Sequence, residues 1–231
     1  MTIERPVLIW RDNKIPVSDH FDDPYFSLEN GLNETRHVFL SGNDLPQRFC
    51  DGFHIAELGF GTGLNALTSL LEWRATGQSG ILRFTSFEAY PMAPKDMIHA
   101  QRQFPELHPI IDEFAPLWDD LWSHGTLTRE DFHLRVVIGD ARETVTQTDF
   151  TADCWFLDGF SPAKNPQLWG QDLMHAVATK TKTGGTVATY SAAGFVRRNL
   201  TDAGFNVHKI PGFGRKRHMT TATKGHMQNA K

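Results

Sequence analysis

Residues 57–65 read Glu57-Leu58-Gly59-Phe60-Gly61-Thr62-Gly63-Leu64-Asn65, and this stretch decides the fold. It follows a short apolar segment, 54–58, that is typical of a buried strand, and it leads into 64–74, where apolar residues recur at helical spacing. Glycines between a strand and a helix allow a tight turn and let the backbone approach a ligand where a Cβ would collide. The stretch therefore predicts a nucleotide-binding turn, with a purely structural turn as the alternative.

The same order of strand and helix recurs along the chain. Strands are predicted at 82–88, 133–138, 152–158 and 185–190, and helices follow them at about 94–103, 140–148, 168–181 and 193–203. Strands separated by helices imply parallel βαβ units, and hence an open α/β sheet covered on both faces, with ligands at the carboxyl ends of the strands. Residues 204–224 predict two further strands joined around 211–214, which would complete the sheet as an antiparallel hairpin.

Two segments fall outside this alternation. Residues 1–50 are expected to form an irregular or β-rich N-terminal extension packed on the core, and 51–231 the main domain. Residues 105–123 predict one extra amphipathic helix between the second and third strands. The 231 residues contain no internal repeat and no linker-like tract, so they are interpreted as one domain with a small appendage.

The composition disfavours several classes of protein. No apolar run approaches the ~20 residues of a membrane-spanning helix, so we expect no membrane association. The two cysteines, Cys50 and Cys154, form no CxxC pair, and none of the eleven histidines shows ligand spacing, so we expect a cytoplasmic protein without a metal site. The net charge of −4 argues against nucleic-acid binding by overall charge. Residues 191–224, however, contain seven basic residues and one acid, so a local basic face remains possible.

The spacing of the glycines distinguishes between nucleotide cofactors. A dinucleotide fingerprint requires a third glycine three positions after the second, but position 64 is Leu and the third glycine is Gly63, which disfavours NAD(P). In the methyltransferase pattern an acid precedes the turn, as Glu57 does here, and a carboxylate suits the ammonium at the amino acid end of the cofactor. The predicted cofactor is therefore S-adenosylmethionine, and a Rossmann-type NAD(P) oxidoreductase is the alternative.

Further acids are predicted at the same edge of the sheet. Glu88 ends the second strand and could accept both ribose hydroxyls, while Asp140 follows the third strand and could accept from the adenine amine. A helix N-cap is the alternative role for each acid. Asn43 is expected either to reach the amino acid end of the cofactor, to fold over the crevice or to form a turn. The complete set of predicted cofactor-binding residues is Asn43, Glu57, Gly59, Phe60, Gly61, Gly63, Glu88, Asp140, Ala141 and Asp158.

The loop after the fourth strand, 158–169, combines a carboxylate with aromatic and turn-forming residues. In a doubly wound sheet this loop lies beside the central crevice. Methyl transfer from a sulfonium needs a neutral lone pair about 3 Å from the methyl carbon, so an amine must first lose its proton. Asp158 could orient the amine and accept that proton, while Phe160 and Trp169 could stack on a base and exclude water. The alternative makes Asp158 a loop cap and the aromatic residues ordinary core.

Five stretches resemble the methyltransferase part of the MnmC family, the tRNA 5-methylaminomethyl-2-thiouridine biosynthesis enzymes. They are 22–49, 57–67 (ELGFGTGLNAL), 154–169 (CWFLDGFSPAKNPQLW), 189–200 (TYSAAGFVRRNL) and 211–219 (PGFGRKRHM), and the match runs from about Ile15 to Met219. The resemblance implies a class I methyltransferase fold, which is Rossmann-like, with S-adenosylmethionine as donor. It also implies that the acceptor is the 5-aminomethyl group of a wobble 2-thiouridine.

The resemblance assigns roles to residues of this chain. It implies that Gly59, Gly61 and Gly63 hold the cofactor, that Glu88 binds the ribose, that Asp140 lies on the adenine side and that Asp158 binds the acceptor amine. The tRNA anticodon loop is the implied partner, and its predicted contacts are Lys164, Asn165, Trp169, Arg197, Arg198, Arg215, Lys216 and Arg217. For the run Arg215-Lys216-Arg217, a solvated face is the alternative.

The resemblance also concerns a second activity. Bifunctional members of the family continue into a flavin-dependent oxidoreductase domain that makes the aminomethyl group, whereas this chain ends at Lys231. We therefore expect either a separate oxidoreductase or a fused one in a longer protein. A methyltransferase acting on another amine, and a cofactor-binding partner without catalysis, remain alternatives.

Overall fold

A computed structural model describes residues 4–27 and 30–225, and its first three strands form a small antiparallel sheet. Strands β1 (Leu8–Arg11), β2 (Ile15–Ser18) and β3 (Asp23–Pro24) pair in that order. The turn between β1 and β2 uses Asp12 and Asn13 at φ of 50° and 54°, a conformation that Asp and Asn tolerate better than most residues. Residues 1–3 and 28–29 of the predicted extension, and 226–231 of the predicted main domain, lie outside the described residues.

The main sheet has eight strands within the described part of the chain. They are β4 (His54–Leu58), β5 (Leu82–Glu88), β6 (Thr126–Thr128), β7 (Phe132–Ile138), β8 (Ala152–Leu157), β9 (Thr181–Thr189), β10 (Phe205–Pro211) and β11 (His218–Lys224). Their order is β10-β11-β9-β8-β4-β5-β7-β6. The pairs from β9 to β7 are parallel, whereas β6 and the β10–β11 hairpin are antiparallel. The mostly parallel sheet with an antiparallel C-terminal hairpin is therefore confirmed.

Helices cover both faces of this sheet. They are α1 (Gly31–Thr35), α2 (Leu64–Ala75), α3 (Pro94–Gln101), α4 (His108–Phe114), α5 (Trp118–His124), α6 (Ala141–Gln147), α7 (Gln171–Thr179) and α8 (Gly194–Asp202). Successive side chains of a strand point to opposite faces. On β8, Phe156 belongs to one hydrophobic cluster and Trp155 to a second, and both are fully buried. The two clusters are the two layers of core on either side of the sheet.

The segment between β5 and β7 differs from the prediction. The single helix expected at 105–123 is wrong, because the chain forms two short helices, α4 and α5, each preceded by a 3-10 turn. Pro109 and Pro116 each lie at the start of a new segment, since proline lacks the N–H that would continue a preceding helix. The short edge strand β6, three residues long, was not predicted.

The N-terminal extension is β-rich only in its first part. After α1 the chain continues through a π-helical turn at Arg36–Leu40 and a 3-10 turn at Ser41–Asn43, and this helical half was not predicted. Val38, Phe39 and Leu40 are buried in the same cluster as residues of the main sheet. The extension and the sheet thus share hydrophobic core, while a boundary at residue 50 stays a prediction.

Candidate active site

The glycine turn after β4 brings together three parts of the chain. Gly59 and Gly61 have φ of +82° and +54°, in the left-handed region that favours glycine. A Cβ on Gly59 would lie 3.1 Å from the Cα of Gly159, and a Cβ on Gly61 would lie 3.1 Å from the ring of Tyr25. The turn therefore packs against the loop after β8 and against the N-terminal extension, without room for side chains.

A cavity of about 840 Å³ opens where β4, β5, β7 and β8 end. Cofactor and small-molecule sites commonly measure about 300–1,000 Å³. The cavity brings together ten of the predicted site residues: Gly59, Phe60, Glu88, Asp140, Ala141, Asp158, Phe160, Lys164, Asn165 and Lys216. The other predicted residues are not part of its lining; these are Asn43, Glu57, Gly61, Gly63, Trp169, Arg197, Arg198, Arg215 and Arg217.

Glu88 is locked to the glycine turn by backbone hydrogen bonds. Its Oε2 accepts from the N–H of Gly61 at 2.9 Å, and its Oε1 accepts from the N–H of Tyr90 at 2.8 Å. Burial raises the pKa of Glu88 above its usual value. Each carboxylate oxygen has a further lone pair, so Glu88 can still accept from a ligand diol in a fixed orientation.

Asp140 caps helix α6 and also lines the cavity. Its Oδ1 accepts from the N–H of Arg142 at 2.9 Å, and the guanidinium of Arg142 forms an ion pair with the carboxylate. Arg142 lowers the pKa of Asp140 mainly through this side-chain hydrogen bond. The N-cap alternative is therefore realised, and a contact with adenine remains a prediction for a residue that already has a structural role.

Asp158 follows β8 and faces the same cavity. Its Oδ1 accepts from the N–H of Gly159 at 2.8 Å, and its Oδ2 accepts from Nδ2 of Asn65 at 2.7 Å. Burial raises the pKa of Asp158 to about 7, against the opposing effect of these two hydrogen bonds. A carboxyl group that titrates near neutral pH can both take up and release a proton under physiological conditions.

Glu57 lies behind the cavity wall, not in it. Its side chain is fully buried, its Oε1 accepts from Nδ2 of Asn65 at 2.8 Å, and its Oε2 accepts from the hydroxyl of Ser86 at 2.6 Å. Burial raises the pKa of Glu57 well above its usual value. In this structure no part of the carboxyl group is exposed, and the direct contact between Glu57 and a cofactor ammonium stays a prediction.

Asn43 and Trp169 are also buried away from the cavity. The side chain of Asn43 donates to the carbonyl oxygens of Phe39 at 2.9 Å and Trp155 at 3.3 Å. Trp169 is fully buried, and its Nε1 donates to the carbonyl oxygen of Phe160 at 3.1 Å. Neither residue lines the cavity in this structure, so the cofactor contact of Asn43 and the base stacking of Trp169 stay predictions.

Phe160 belongs to an aromatic wall of the cavity. Its ring stacks on Phe21 at a centroid distance of 4.5 Å and meets Tyr25 edge-on at 5.2 Å. The hydroxyl of Tyr190 donates to the carbonyl oxygen of Gly159 at 2.7 Å, which fixes the same loop from the other side. The site can therefore present flat apolar surface beside the carboxylate of Asp158.

Several cavity residues were missed by the sequence reasoning. The main ones are Phe21, Tyr25, Glu34, Asn65 and Tyr190. Asn65 lies inside the glycine motif, and Glu34 and Tyr25 lie inside the stretch 22–49 that carried the resemblance. Their motifs were therefore recognised, but no role was assigned to these residues. Lys216, which was predicted, forms an ion pair with Glu34 at 2.8 Å, and its Nζ lies 4.1 Å from the centre of the Tyr190 ring.

The remaining predicted basic residues lie outside the cavity. Arg198, Arg215 and Arg217 are exposed, and Arg197 is half-buried on α8. Desolvation and the charges of Lys209, Arg217 and Arg197 lower the pKa of His218, the first residue of β11. These three cations, from β10, from the loop that carries Lys216 and from α8, thus act on one position.

The described residues form neither a metal centre nor a membrane-spanning helix. Within residues 4–27 and 30–225, no group of three or more His, Cys, Asp or Glu side chains is arranged to hold a metal ion. Among the helices of the same described ranges, none is long and apolar enough to cross a membrane.

The fold and the cavity define a class I, Rossmann-like cofactor-binding enzyme. A model of the S-adenosyl-L-methionine-dependent methyltransferase family matches residues 105–225, more than half of the chain. The chain belongs to this family. The predicted cofactor and the predicted methyltransferase activity are therefore confirmed, and the NAD(P) oxidoreductase alternative is set aside.

Two relatives are similar to this chain over almost its whole length. The chain is 41% identical over 223 residues to the tRNA 5-methylaminomethyl-2-thiouridine biosynthesis bifunctional protein MnmC of Leptospira borgpetersenii, covering 93% of this chain and 34% of that protein. It is 42% identical over 229 residues to the protein of the same name from Chromobacterium violaceum, covering 95% and 34%. The chain thus spans about a third of the length of these relatives. The resemblance found in the motifs is confirmed.

A solved structure shows the same fold. The crystal structure of MnmC2 from Aquifex aeolicus superposes with a TM-score of 0.77 at 24% sequence identity, covering 98% of this chain and 74% of that one. At this identity the likeness concerns the fold alone.

Proposed function

We propose that this chain methylates the 5-aminomethyl group of wobble 5-aminomethyl-2-thiouridine in tRNA, giving 5-methylaminomethyl-2-thiouridine. The observation that carries the proposal is Asp158, a carboxylate at the cavity whose pKa lies near 7 and which stands beside an aromatic wall. The MnmC relatives are named for the biosynthesis of 5-methylaminomethyl-2-thiouridine in tRNA, which supports the same acceptor.

The donor would be held by residues at the ends of the parallel strands. Glu88 is oriented by Gly61 and Tyr90 to accept from the ribose hydroxyls, and Ala141 with Asp140 borders the predicted adenine side. The backbone of Gly59 would face the amino acid end of the donor, toward Asp158. Bound in this way, S-adenosylmethionine supplies an electrophilic methyl group.

The acceptor amine must lose a proton before it reacts. An alkylamine is an ammonium at neutral pH, as the lysine pKa of about 10.4 illustrates, and an ionised Asp158 attracts it. Asp158 takes one proton from the ammonium, which frees the lone pair of the amine nitrogen. That lone pair could then form the new bond to the methyl carbon that S-adenosylmethionine would supply, while the electron pair of the broken carbon–sulfur bond would stay on sulfur. The methylated amine leaves as an ammonium once more.

The modified base would lie against Phe160. A base that is flipped from an RNA loop commonly stacks on aromatic side chains, and Phe160 and Phe21, which stack on each other, both line the cavity. Lys164 and Asn165 lie on the same loop at the cavity and could contact the nucleotide. Lys164 forms an ion pair with Asp22, which holds this loop against the N-terminal extension.

The anticodon loop would be held by charge outside the cavity. The chain has a net charge of −4, so phosphate binding must depend on a local surface. The basic residues proposed for this surface are Arg197, Arg198, Arg215 and Arg217, with Lys216 at the cavity itself. Phosphate contacts outside the cavity would leave the wobble base free to enter it.

The proposed substrate implies a preceding reaction. A flavin-dependent oxidoreductase, either separate or fused, would supply the aminomethyl group, as the word bifunctional in the names of the longer relatives suggests. A tRNA substrate would also place the reaction in the cytoplasm.

The proposal is tested by labelled methyl transfer to two preparations of the same tRNA. One carries the aminomethyl group at the wobble uridine, and the other lacks it. We expect transfer to the first only, and loss of at least about a hundredfold with Asp158→Asn. Asp153→Asn is the matched control, because Asp153 lies near the start of β8 and pairs with Lys182. Equal transfer to both tRNAs, or full activity of Asp158→Asn, would contradict the proposal.

A further inference from the structure

Asn65 joins the two acids at the centre of the site. Its Nδ2 donates to Oδ2 of Asp158 at 2.7 Å and to Oε1 of Glu57 at 2.8 Å. An amide nitrogen carries two hydrogens, so each carboxyl group receives one. Asn65 is only 7% exposed, which limits competition from water for these two bonds.

The amide of Asn65 is oriented by its neighbours. The hydroxyl of Thr35, on α1, donates to Oδ1 of Asn65 at 2.7 Å, and Thr35 is itself buried. Both partners of Nδ2 are carboxyl oxygens, so the amide nitrogen must face them and the amide oxygen must face the hydroxyl. Glu57 is in turn held by Ser86 from β5. Four elements, α1, α2, β4 and β5, therefore fix the donor that points at Asp158.

We propose that Asn65 is a positioning residue that keeps Asp158 ionised and correctly aimed for proton transfer, with the buried Glu57 as its anchor. The proposal deepens the proposed function and rests on it for the identity of the acceptor. A hydrogen bond donated to a carboxylate favours its charged form, which is the form that accepts a proton.

The surroundings of Asp158 show why such a donor matters. Burial disfavours the carboxylate, and Glu34 on α1 adds a like charge, so both raise the pKa of Asp158. Asn65, the N–H of Gly159 and the charge of Lys216 lower it. Glu57, on β4, is a second buried acid beside it, and Tyr190, after β9, is a neutral group whose own pKa is raised. Without Asn65, the balance shifts toward the protonated acid.

Direct titration of Asp158 tests the inference without any tRNA. The chain is labelled with ¹³C at aspartate carboxyl carbons, and the Asp158 signal, assigned by its loss in Asp158→Asn, is followed against pH by NMR. In wild type we expect a midpoint near 7. In Asn65→Ala the midpoint should rise by about one pH unit, because a hydrogen bond to a charged group is lost.

Two further variants keep the test decisive. Thr35→Val leaves Asn65 in place but removes the hydroxyl that orients it, so a smaller rise is expected even if Asn65→Ala does not fold. Thr68→Val is the matched control on α2, since Thr68 is buried and bonds only to the carbonyl oxygen of Leu64. An unmoved midpoint in folded Asn65→Ala or Thr35→Val, or an equal rise in Thr68→Val, overturns the inference.

Methyl transfer gives a second readout. Asn65→Ala should lower kcat by about fivefold at pH 7, because a rise of one pH unit leaves only about a tenth of Asp158 ionised there, and by much less at pH 9. KM for tRNA should change by less than about threefold. A loss of kcat that is the same at both pH values would indicate a purely structural role and would contradict the inference. If the titration behaves as expected while no methyl reaches the modified tRNA, the control of Asp158 by Asn65 stands and the proposed acceptor is wrong.

Discussion

Gly59 and Gly159 lie against each other backbone to backbone, so that a Cβ built on Gly59 would fall 3.1 Å from the Cα of Gly159. Both residues have positive φ, at +82° and +110°. The contact joins the turn proposed to face the donor, after β4, to the loop proposed to receive the acceptor, after β8. Because β4 and β8 are neighbours in the sheet, one contact sets the separation of the two halves of the site.

Gly59→Ala should therefore reduce both stability and cofactor affinity. The added methyl group meets backbone, which cannot move aside as a flexible side chain can. We expect S-adenosylmethionine to bind at least about tenfold more weakly, measured by calorimetry. Gly77→Ala is the matched control, because Gly77 also has a positive φ, +67°, but has nothing within 4 Å of the added atom. It should cost about 1–2 kcal/mol of backbone strain and leave affinity unchanged; equal effects of the two variants would contradict the close-contact explanation.

Two variants of Asp140 separate its capping role from its predicted cofactor role. Asparagine is as good an N-cap as aspartate, so Asp140→Asn should keep the free energy of unfolding within about 0.5 kcal/mol, whereas Asp140→Ala should lose about 1 kcal/mol. If Asp140 accepts from adenine, Asp140→Ala weakens cofactor binding by about tenfold, whereas Asp140→Asn keeps an acceptor oxygen and binds within about threefold of wild type. Wild-type affinity in Asp140→Ala would restrict this residue to capping α6.

Asp158→Asn should change how stability depends on pH. The pKa of Asp158 is raised from 3.8 to about 7 in the folded chain, so the unfolded carboxyl group loses its proton first as pH rises. Wild-type stability is therefore lost progressively from about pH 4 to pH 7, and Asp158→Asn escapes this loss. The free energy of unfolding of the variant, measured with urea, should therefore rise relative to that of wild type by about 1 kcal/mol or more between pH 4 and pH 8.

Asp140→Asn serves here as a control, because Asp140 titrates below about pH 4 and the stability of this variant should run parallel to that of wild type between pH 4 and pH 8. Its hydrogen bond from Arg142 lowers the pKa of Asp140, so wild type gains stability as pH rises through the lowered range, and the variant does not. Unfolding free energies of wild type and Asp158→Asn that run parallel across this pH range would show that Asp158 titrates normally.

Arg217→Ala should weaken tRNA binding without changing the chemical step. Arg217 is exposed and lies outside the cavity, beside Lys216. We expect KM for tRNA to rise by about three- to tenfold with kcat within about twofold, and the slope of log KM against log salt to fall by about one. Lys182→Ala should leave both values unchanged, because Lys182 lies at the start of β9, whereas the cavity lies where the parallel strands end. An unaltered salt slope in Arg217→Ala would remove this residue from the RNA surface.

Much of the fold could be predicted because parallel strands leave a strong pattern. Short apolar segments that alternate with segments of helical periodicity located the five parallel strands. An acid at the carboxyl end of such a strand is expected at the edge of the sheet where ligands bind. Glu88 and Asp158 were placed on one cavity in this way. By contrast, the apolar pattern of 105–123 continues across Pro109 and Pro116, so it suggested one helix where the backbone forms two.

The direction of individual side chains could not be predicted in the same way. Glu57, Asn43 and Trp169 have the chemistry of site residues, but each is buried and forms a hydrogen bond with a residue that only the fold brings close: Ser86, Trp155 and Asn199, respectively. Conversely, Asn65 looked like an ordinary residue of the first turn of a helix. Its role depends on Thr35 and Asp158, which only the tertiary fold brings within 3 Å of it.

The central claim, that Asp158 accepts the proton of a wobble aminomethyl group before methyl transfer, is tested most directly by the pH dependence of the single-turnover rate, with the product nucleoside identified by mass. The rate should rise with pH through about 7, as Asp158 ionises, and the wobble nucleoside alone should become heavier by one methyl-for-hydrogen replacement. A rate that does not change across this range, or a methyl group found on any other nucleoside, would contradict the account.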